Sequence, residues 1–223
     1  VTDISGNGLT GTATNSYTRT SQKTGFGVTT TQGTSGYVGY SPSANFQVGS
    51  FTFDFFHTPD ANPTATRDLA QITESPGSQK ILFSHQITTN KITFKVFGVT
   101  GTGTATSTTA LVAGTTYHIA GSYDGSTTVK IYIDGALEGT DAGATGGLTY
   151  ATTPILTLNN NSSYNNSPAG TISYVRLSNI VRTSFAHAFT GTVSYAAGTE
   201  LSAQAASSSA DLYAGGSDGK VYK

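Results

Sequence analysis

The chain has no cysteine and no methionine among its 223 residues, and few charges. Without cysteine, disulfides and thiolate zinc sites are excluded, while the cellular compartment stays open. Only 10% of the residues are charged and the formal net charge is −1. There is neither a basic field to hold nucleic acid nor an acidic one to gather cations broadly. No apolar run approaches the roughly 18 residues of a membrane helix, so no membrane insertion is expected. No secretory signal pattern is present either. With Val1 first and methionine absent, we expect a mature product, a processed fragment or an excised domain.

What is present is threonine, glycine, serine and alanine on a period of two. The length suits one large β domain with a real hydrophobic core. "SFTFDFF" sets Phe51, Phe53 and Phe55 on one face and Thr52, Asp54 and Phe56 on the other. "KILFSHQI" and "KITFKVF" read as two more strands joined through Asn90. In "TYHIAGSYDGSTTVKIYIDG", Tyr117, Ile119, Gly121 and Tyr123 alternate with His118, Ala120 and Ser122. Hairpin turns are expected at Asp124-Gly125 and Asp134-Gly135. "PILTLNN" and "AGTISYVRLS" follow as strands, and "NIVRTSFAHAF" suits one short helical turn. About a dozen short strands with frequent turn signals predict an all-β fold, a two-sheet antiparallel β-sandwich. We place this domain at residues 1–190. Residues 191–223 form a C-terminal extension, with "SAQAASSSA" as a linker and "DLYAGGSDGKVYK" as strand, turn, strand.

Four stretches, in order, resemble laminin-G-like domains of the concanavalin A-like lectin/glucanase superfamily. They are "DISGNGLTG", "GSFTFDFFHTP", "AGTTYHIAGSYDGSTTVKIYIDGAL" and "GTISYVRLSNIVRT". The resemblance implies a jelly roll. Tyr117 stands where the family usually has tryptophan, and Ser173 and Tyr174 replace an acidic pair in the closing strand. The family's first strand precedes the opening motif and is missing before Val1-Thr2-Asp3. An omitted strand leaves unpaired backbone groups on its neighbours. We therefore expect the slot to be filled by "ADLYAGG" folding back or by a strand of a neighbouring chain. The alternative is a domain that manages with one strand fewer.

The resemblance also frames the chemistry. Glucanases of the superfamily carry closely spaced carboxylates on one strand, and a retaining glycosidase needs two about 5 Å apart. Here Glu74, Glu138 and Glu200 are far apart and Asp54 reads as a lone outward residue. No enzyme is expected. His118 reads as a half-buried strand histidine bonded to a neighbouring turn, and His57, His85 and His187 lack metal-ligand spacing. Relatives often hold one Ca²⁺ at a loop rim. The Asp3-x-Ser5-Gly6-Asn7-Gly8 loop offers Asp3 and Asn7 as ligands, or else is a simple Asx turn.

Sugar sites on sandwiches combine an aromatic ring with amides and hydroxyls. "LNNNSSYNNSP" has that mixture. Asn159, Asn160, Asn161, Tyr164, Asn165 and Asn166 are the candidates, with Tyr150 and Tyr37 nearby, against the alternative of a solvated loop. Asn161-Ser162-Ser163 also fits a glycosylation acceptor. The expected function is a non-catalytic binding or adhesion module that recognises a glycan or protein surface. Its setting would be a larger extracellular, cell-surface or virion-surface assembly with neighbouring subunits or domains. The alternative is a structural virion protein, such as a decoration, fibre or capsid-associated domain, or a subunit of a bacterial surface polymer.

Overall fold

The computed structural model describes residues 9–14, 17–22, 25–33, 35–74, 77–160, 166–185, 201–205, 212–216 and 221–222. Their regular structure is all strand, apart from one 3₁₀ turn at Ala44–Phe46. The first sheet has seven strands. Its order is β1 (Gly11–Thr14), β4 (Tyr37–Tyr40), β13 (Ile155–Leu158), β6 (Arg67–Glu74), β7 (Ser78–His85), β8 (Lys91–Phe97) and β9 (Thr102–Ala110). The second sheet also has seven. It runs β12 (Ala136–Asp141), β11 (Val129–Ile133), β10 (Tyr117–Tyr123), β5 (Phe51–Pro59), β14 (Gly170–Ser178), β3 (Gly25–Thr30) and β2 (Tyr17–Gln22). Of the chain-adjacent strands, β2 and β3, β6 to β9 and β10 to β12 pair in sequence as hairpins, the other links cross between the sheets, and every pairing within the two sheets is antiparallel.

The period of two in "SFTFDFF" explains the core. Phe53 and Phe55 meet Phe83 edge-on at 5.5 and 5.1 Å between ring centroids, and Phe83 stacks on Phe94 at 4.4 Å. Ile119, Ile131, Ile72, Ile81 and Val96 complete the filling. Gly121 is required there, because a Cβ at this position would lie 2.6 Å from the Phe94 ring. The turn at Asp134-Gly135 has both residues at positive φ, as an Asp-Gly hairpin needs. The link at Asp124-Gly125 is longer than the expected two residues. It spans 124–128, and Asp124 Oδ1 accepts the backbone N–H groups of Ser126, Thr127 and Thr128. Partial burial opposes ionisation of Asp124, but these N–H groups prevail and hold its carboxyl below the usual range.

Two expectations are corrected. Strand β6, unread in the sequence, is central to the first sheet. "NIVRTSF" is not helical over residues 179–185. The chain divides into compact units Val1–Thr183 and Ser184–Lys223. In the second unit β16 (Leu212–Gly216) is flanked on both sides, by β15 (Leu201–Ala205) and β17 (Val221–Tyr222). Strand β15 includes residues expected in the linker. The closing strand β14 has both its edges occupied, by β3 and β5.

Candidate functional site

Residues directly opposite one another in antiparallel strands share a face. One row crosses the first sheet on the face away from the core: Gly39, Thr157, Gln71, Leu82, Lys95 and Thr104. A second row holds Asp68, Ser84, Thr93 and Thr106. Seven-strand width and mostly neutral hydrogen-bonding groups make this outer face a broad polar platform. The bare Gly39 leaves room for the Tyr37 ring, which would lie 3.0 Å from a Cβ at that position.

Two bulges shape the platform. Leu69 is an extra residue in β6, so Asp68 and Gln71 face the same way although three positions apart. Lys80 is the extra residue in β7, which turns Gln79 outward opposite Thr73. Bulges re-aim side chains in this manner and concentrate near binding sites.

At one end of the platform, Asp68 is 7% exposed. Its Oδ1 accepts the Ser84 hydroxyl at 2.9 Å and its Oδ2 accepts Asn166 Nδ2 at 3.1 Å. Arg67 Nη1 donates to the Asn166 amide oxygen at 3.1 Å. Asn166 N–H in turn donates to Asn160 Oδ1 at 2.7 Å. Gln32 Oε1 accepts both the N–H and the hydroxyl of Thr64, tying the β3–β4 loop to the β5–β6 loop. Burial pushes the Asp68 carboxyl above its ordinary range, against the hydrogen bonds from Asn166 and Ser84 and the cations Lys95 and Arg67. Three loops thus hold one poorly hydrated carboxylate and one guanidinium in fixed positions at a rim.

At the other end lies a cleft of about 610 Å³ lined by Ser78, Gln79, Lys80, Phe97, Val99 and Thr149, among others. Lys80 pairs with Glu74 at 2.9 Å and its ammonium stands 5.8 Å from the Tyr150 ring centroid. Burial resists ionisation of Glu74, yet the Thr152 N–H and Lys80 bring its carboxyl below the usual range.

The sequence candidates fall in several places. Asn159 and Asn160 are fully buried and serve the fold: Asn159 Nδ2 donates to the Val28 carbonyl and Asn160 Nδ2 to that of Gly36. Neither amide is open to a ligand. Tyr150 is half-buried, its hydroxyl donates to the Val48 carbonyl at 3.0 Å, and burial and the nearby Glu74 push it up to about 12 against that bond. Asn166 joins the Asp68 network. Asn161, Tyr164, Asn165, Asp3 and Asn7 lie outside the described residues. Among the described residues there is no cluster of three or more histidines or carboxylates suited to a metal ion. No described helix is long and apolar enough to cross a membrane.

On the second sheet, His118 is buried more deeply than expected, at 2% exposure. Its backbone N–H, rather than its ring, donates to the turn residue Asp134, at Oδ1 and 2.8 Å. Asp54 does face outward, but it is fully buried rather than solvated, and its Oδ2 takes both Arg176 Nε and Nη2. Sequence reasoning missed Arg67, Asp68 and Gln71. The adjacent charged pair opening "RDLAQITE" was the available signal, and the bulge masked its strand period.

A laminin G-type family model, described as the concanavalin A-like lectin/glucanases superfamily, matches residues 32–184. No curated protein matches the chain in sequence. Among solved structures, domain 4 of the extracellular arabinanase AbnA from Geobacillus stearothermophilus, in complex with arabinotriose, is similar at 17% identity and a TM-score of 0.61. The match covers 78% of this chain and 84% of that one. The binding domain of Botulinum Neurotoxin DC in complex with SialylT matches at 11% identity and a TM-score of 0.60, over 81% of this chain and 45% of that one. Trypanosoma rangeli sialidase in complex with sialic acid matches at 20% identity and a TM-score of 0.53, over 70% of this chain. This chain spans only 26% of the sialidase and 66% of a Limulus polyphemus pentraxin that it also resembles. With the sandwich topology and a family match over more than half its length, the chain belongs to the concanavalin A-like lectin/glucanases superfamily.

Proposed function

We propose that the protein is a non-catalytic module that binds carbohydrate on the outer face of its first sheet, with Arg67, Asp68 and Asn166 reading the sugar hydroxyls. The observation that carries this reading is the Asp68 network. A nearly buried carboxylate and a guanidinium are held by neutral amides and hydroxyls at a rim where three loops meet. Fixed donors and acceptors beside a polar platform suit a polyhydroxylated ligand. Two structural relatives were solved with arabinotriose and SialylT bound, which supports the same ligand class here.

The non-catalytic part rests on the carboxylates. Asp54 is locked to Arg176, Glu74 to Lys80 and Thr152, and Glu138 accepts backbone N–H groups of Thr108 and Thr109. None of these faces a second carboxylate across a cleft, as glycoside hydrolysis requires. A place in an extracellular or virion-surface assembly is part of the same reading, because neutral hydroxyl-rich surfaces suit such settings.

The test is a glycan array followed by titration calorimetry of Arg67→Ala. Charged hydrogen bonds are worth about 1.5–3 kcal/mol, so affinity is expected to fall about 10- to 100-fold. The melting temperature should move little, since Arg67 is half-buried at the rim. A blank array, or unchanged affinity in Arg67→Ala, overturns the reading.

A further inference from the structure

The outer face of the second sheet carries a strained residue that the carbohydrate reading does not use. Tyr174 has a φ of +48° and is 43% exposed. In this left-handed region glycine is at ease and asparagine is tolerated, whereas a bulky side chain is an outlier. The cause lies in the register. Ser173 pairs with Phe56 and Arg176 with Asp54, so β14 has one residue more than β5 between those pairs. Val175 packs against the core, and Tyr174 is turned outward, its ring centroid 6.0 Å from that of Phe56. Glycine at this position would give the same chain path without the strain. A half-exposed ring contact is a small return for it, so the fold alone gives little reason for tyrosine. Strained residues of this kind collect at functional sites.

Arg176 stands next to Tyr174 and is already aimed. Asp54 Oδ2 accepts both its Nε and its Nη2, and Asp54 is fully buried, so the guanidinium is held in one orientation. The Arg176 side chain is 31% exposed, and its Nη1 is left unbonded among the described residues. A guanidinium offers five donors in a planar fork, so the Nη1 side can take a second carboxylate. Net charge does not oppose this. Lys130 lies outward on β11 opposite Ser122, and the chain at Arg182 crosses Thr52 on the same face. Asp54 and Phe56 are two residues apart on β5, which sets the Arg176 fork and the Tyr174–Phe56 rings roughly 7 Å apart.

We propose that this corner docks an extended segment of a protein partner, with Asp or Glu at one position and an apolar side chain two positions on. Residues i and i+2 of an extended chain share a side and repeat at that same spacing. The partner's carboxylate accepts from Arg176 Nη1. Its apolar side chain enters between the Tyr174 and Phe56 rings, which are inclined at 60° and form a notch rather than a flat platform for a sugar ring. Tyrosine and arginine are among the residues that most often anchor protein interfaces. The proposal concerns the second sheet and is independent of the carbohydrate reading of the first.

The experiment is selection of a random peptide display library on the full chain, followed by titration of the synthetic consensus peptide. Selected sequences are expected to share Asp or Glu two positions from an aromatic or aliphatic residue. The consensus peptide should bind Tyr174→Asn and Tyr174→Gly about 10- to 30-fold more weakly than the parent, the scale of an interface anchor. Replacing its acidic residue by the matching amide should weaken it by a similar factor. Both variants should melt at or above the parent's temperature, because each is more at ease at a left-handed φ. A library that yields no shared acidic–apolar spacing overturns the proposal, and so does a consensus peptide that binds both variants as it binds the parent. Lower melting temperatures in both variants assign the ring to the fold and overturn it too. If free glucuronate moves the NMR signals of Tyr174 and Arg176 and the peptide does not, the ligand is an acidic glycan and the protein-docking proposal falls.

Discussion

Asp54 and Asp68 are the buried carboxylates on the outer faces of the two sheets, and they are kept in opposite ways. Asp54, on the second sheet, is fully buried, and one of its oxygens accepts two bonds from the Arg176 side chain at 3.0 and 2.9 Å. The same face is closed beside it. Thr52 Oγ1 donates to the Ile180 carbonyl at 2.6 Å and accepts the Arg182 N–H at 2.8 Å, which pins the chain after β14 across β5. Asp68, on the first sheet, is held by a serine and an asparagine, and the adjacent Arg67 guanidinium is bonded to Asn166 instead. Buried polar atoms without a hydrogen-bond partner occur on both faces, Asp54 Oδ1 on the second and Gln71 Nε2, Thr73 Oγ1 and Thr157 Oγ1 on the first. What separates the two carboxylates is the cation bonded directly to Asp54 and the neutral partners of Asp68.

The largest effect on that comparison comes from a pair belonging to neither face. His57 on β5 and His85 on β7 bridge the two sheets, with ring centroids 6.1 Å apart and exposures of 0% and 2%. Burial, helped for His57 by its neighbour His85 and opposed by the Thr171 carbonyl, lowers His57 to about 3. Burial also lowers His85 to about 4, against a bond to the Asn90 backbone. Both values lie below the unfolded 6.5, so the fold favours the neutral rings. Their contribution is complete above about pH 6.5 and is lost as pH falls through the range from 6.5 to about 3. The loss is on the order of 1.4 kcal/mol per pH unit for each ring at most. Urea titrations from pH 7 to 4 should show this fall, and His57→Gln together with His85→Gln should flatten it. A parent protein equally stable at pH 7 and pH 4 contradicts it.

Next in size is the removal of one partner from the second face. Arg176→Ala leaves Asp54 buried without its cation, and breaking a buried pair in this way costs about 3–5 kcal/mol. Arg176 is itself 31% exposed, so the lower end is expected. Replacing both partners by apolar residues, Asp54→Leu with Arg176→Met, should recover part of the loss. The first face should respond differently: Arg67→Ala acts on sugar affinity with little change in stability. If both arginine variants unfold the protein alike, the distinction between the faces fails.

How much of this was legible in the sequence follows from where period two holds. In β5, β10 and β11 it is unbroken, so Phe51, Phe53, Phe55, Ile119 and Ile131 could be assigned to the core and the Asp134-Gly135 turn located. In β6 the Leu69 bulge sets Leu69 and Ala70 side by side in the core and Asp68 and Gln71 on the same outer face. A period-two template therefore passes over the strand that holds Asp68 and Gln71. The outward direction of Asp54 was readable, but its burial was not, because Arg176 is 122 residues away and the chain after β14 crosses the same face. The asparagine-rich loop leads to the Asp68 rim, but two of its asparagines do not face it. Asn159 and Asn160 turn inward to the Val28 and Gly36 carbonyls, and Asn166 alone among the described asparagines of that loop reaches the carboxylate.

The smallest expected effect sharpens the comparison most directly, because it changes the charge on the first face and nothing else. In Asp68→Asn the introduced amide can set its oxygen toward Asn166 and its NH₂ toward Ser84, whose hydroxyl accepts as well as donates. The network therefore survives the change. The Asp68 carboxyl is raised in the fold, chiefly by burial, so the folded protein favours its protonated form. That contribution is present below the unfolded carboxyl range near pH 4 and is lost as pH rises through the folded value. Asp68→Asn removes the loss. Relative to the parent, the variant should gain stability as pH rises from about 4 and then level off, by on the order of 1 kcal/mol. This trend is separable from the histidine pair, which acts equally in parent and variant and cancels in their difference. Asp54→Asn, by contrast, weakens two charge-assisted bonds and should be less stable than the parent at neutral pH. If the two asparagine variants shift stability in the same direction there, the carboxylates are not kept in opposite ways.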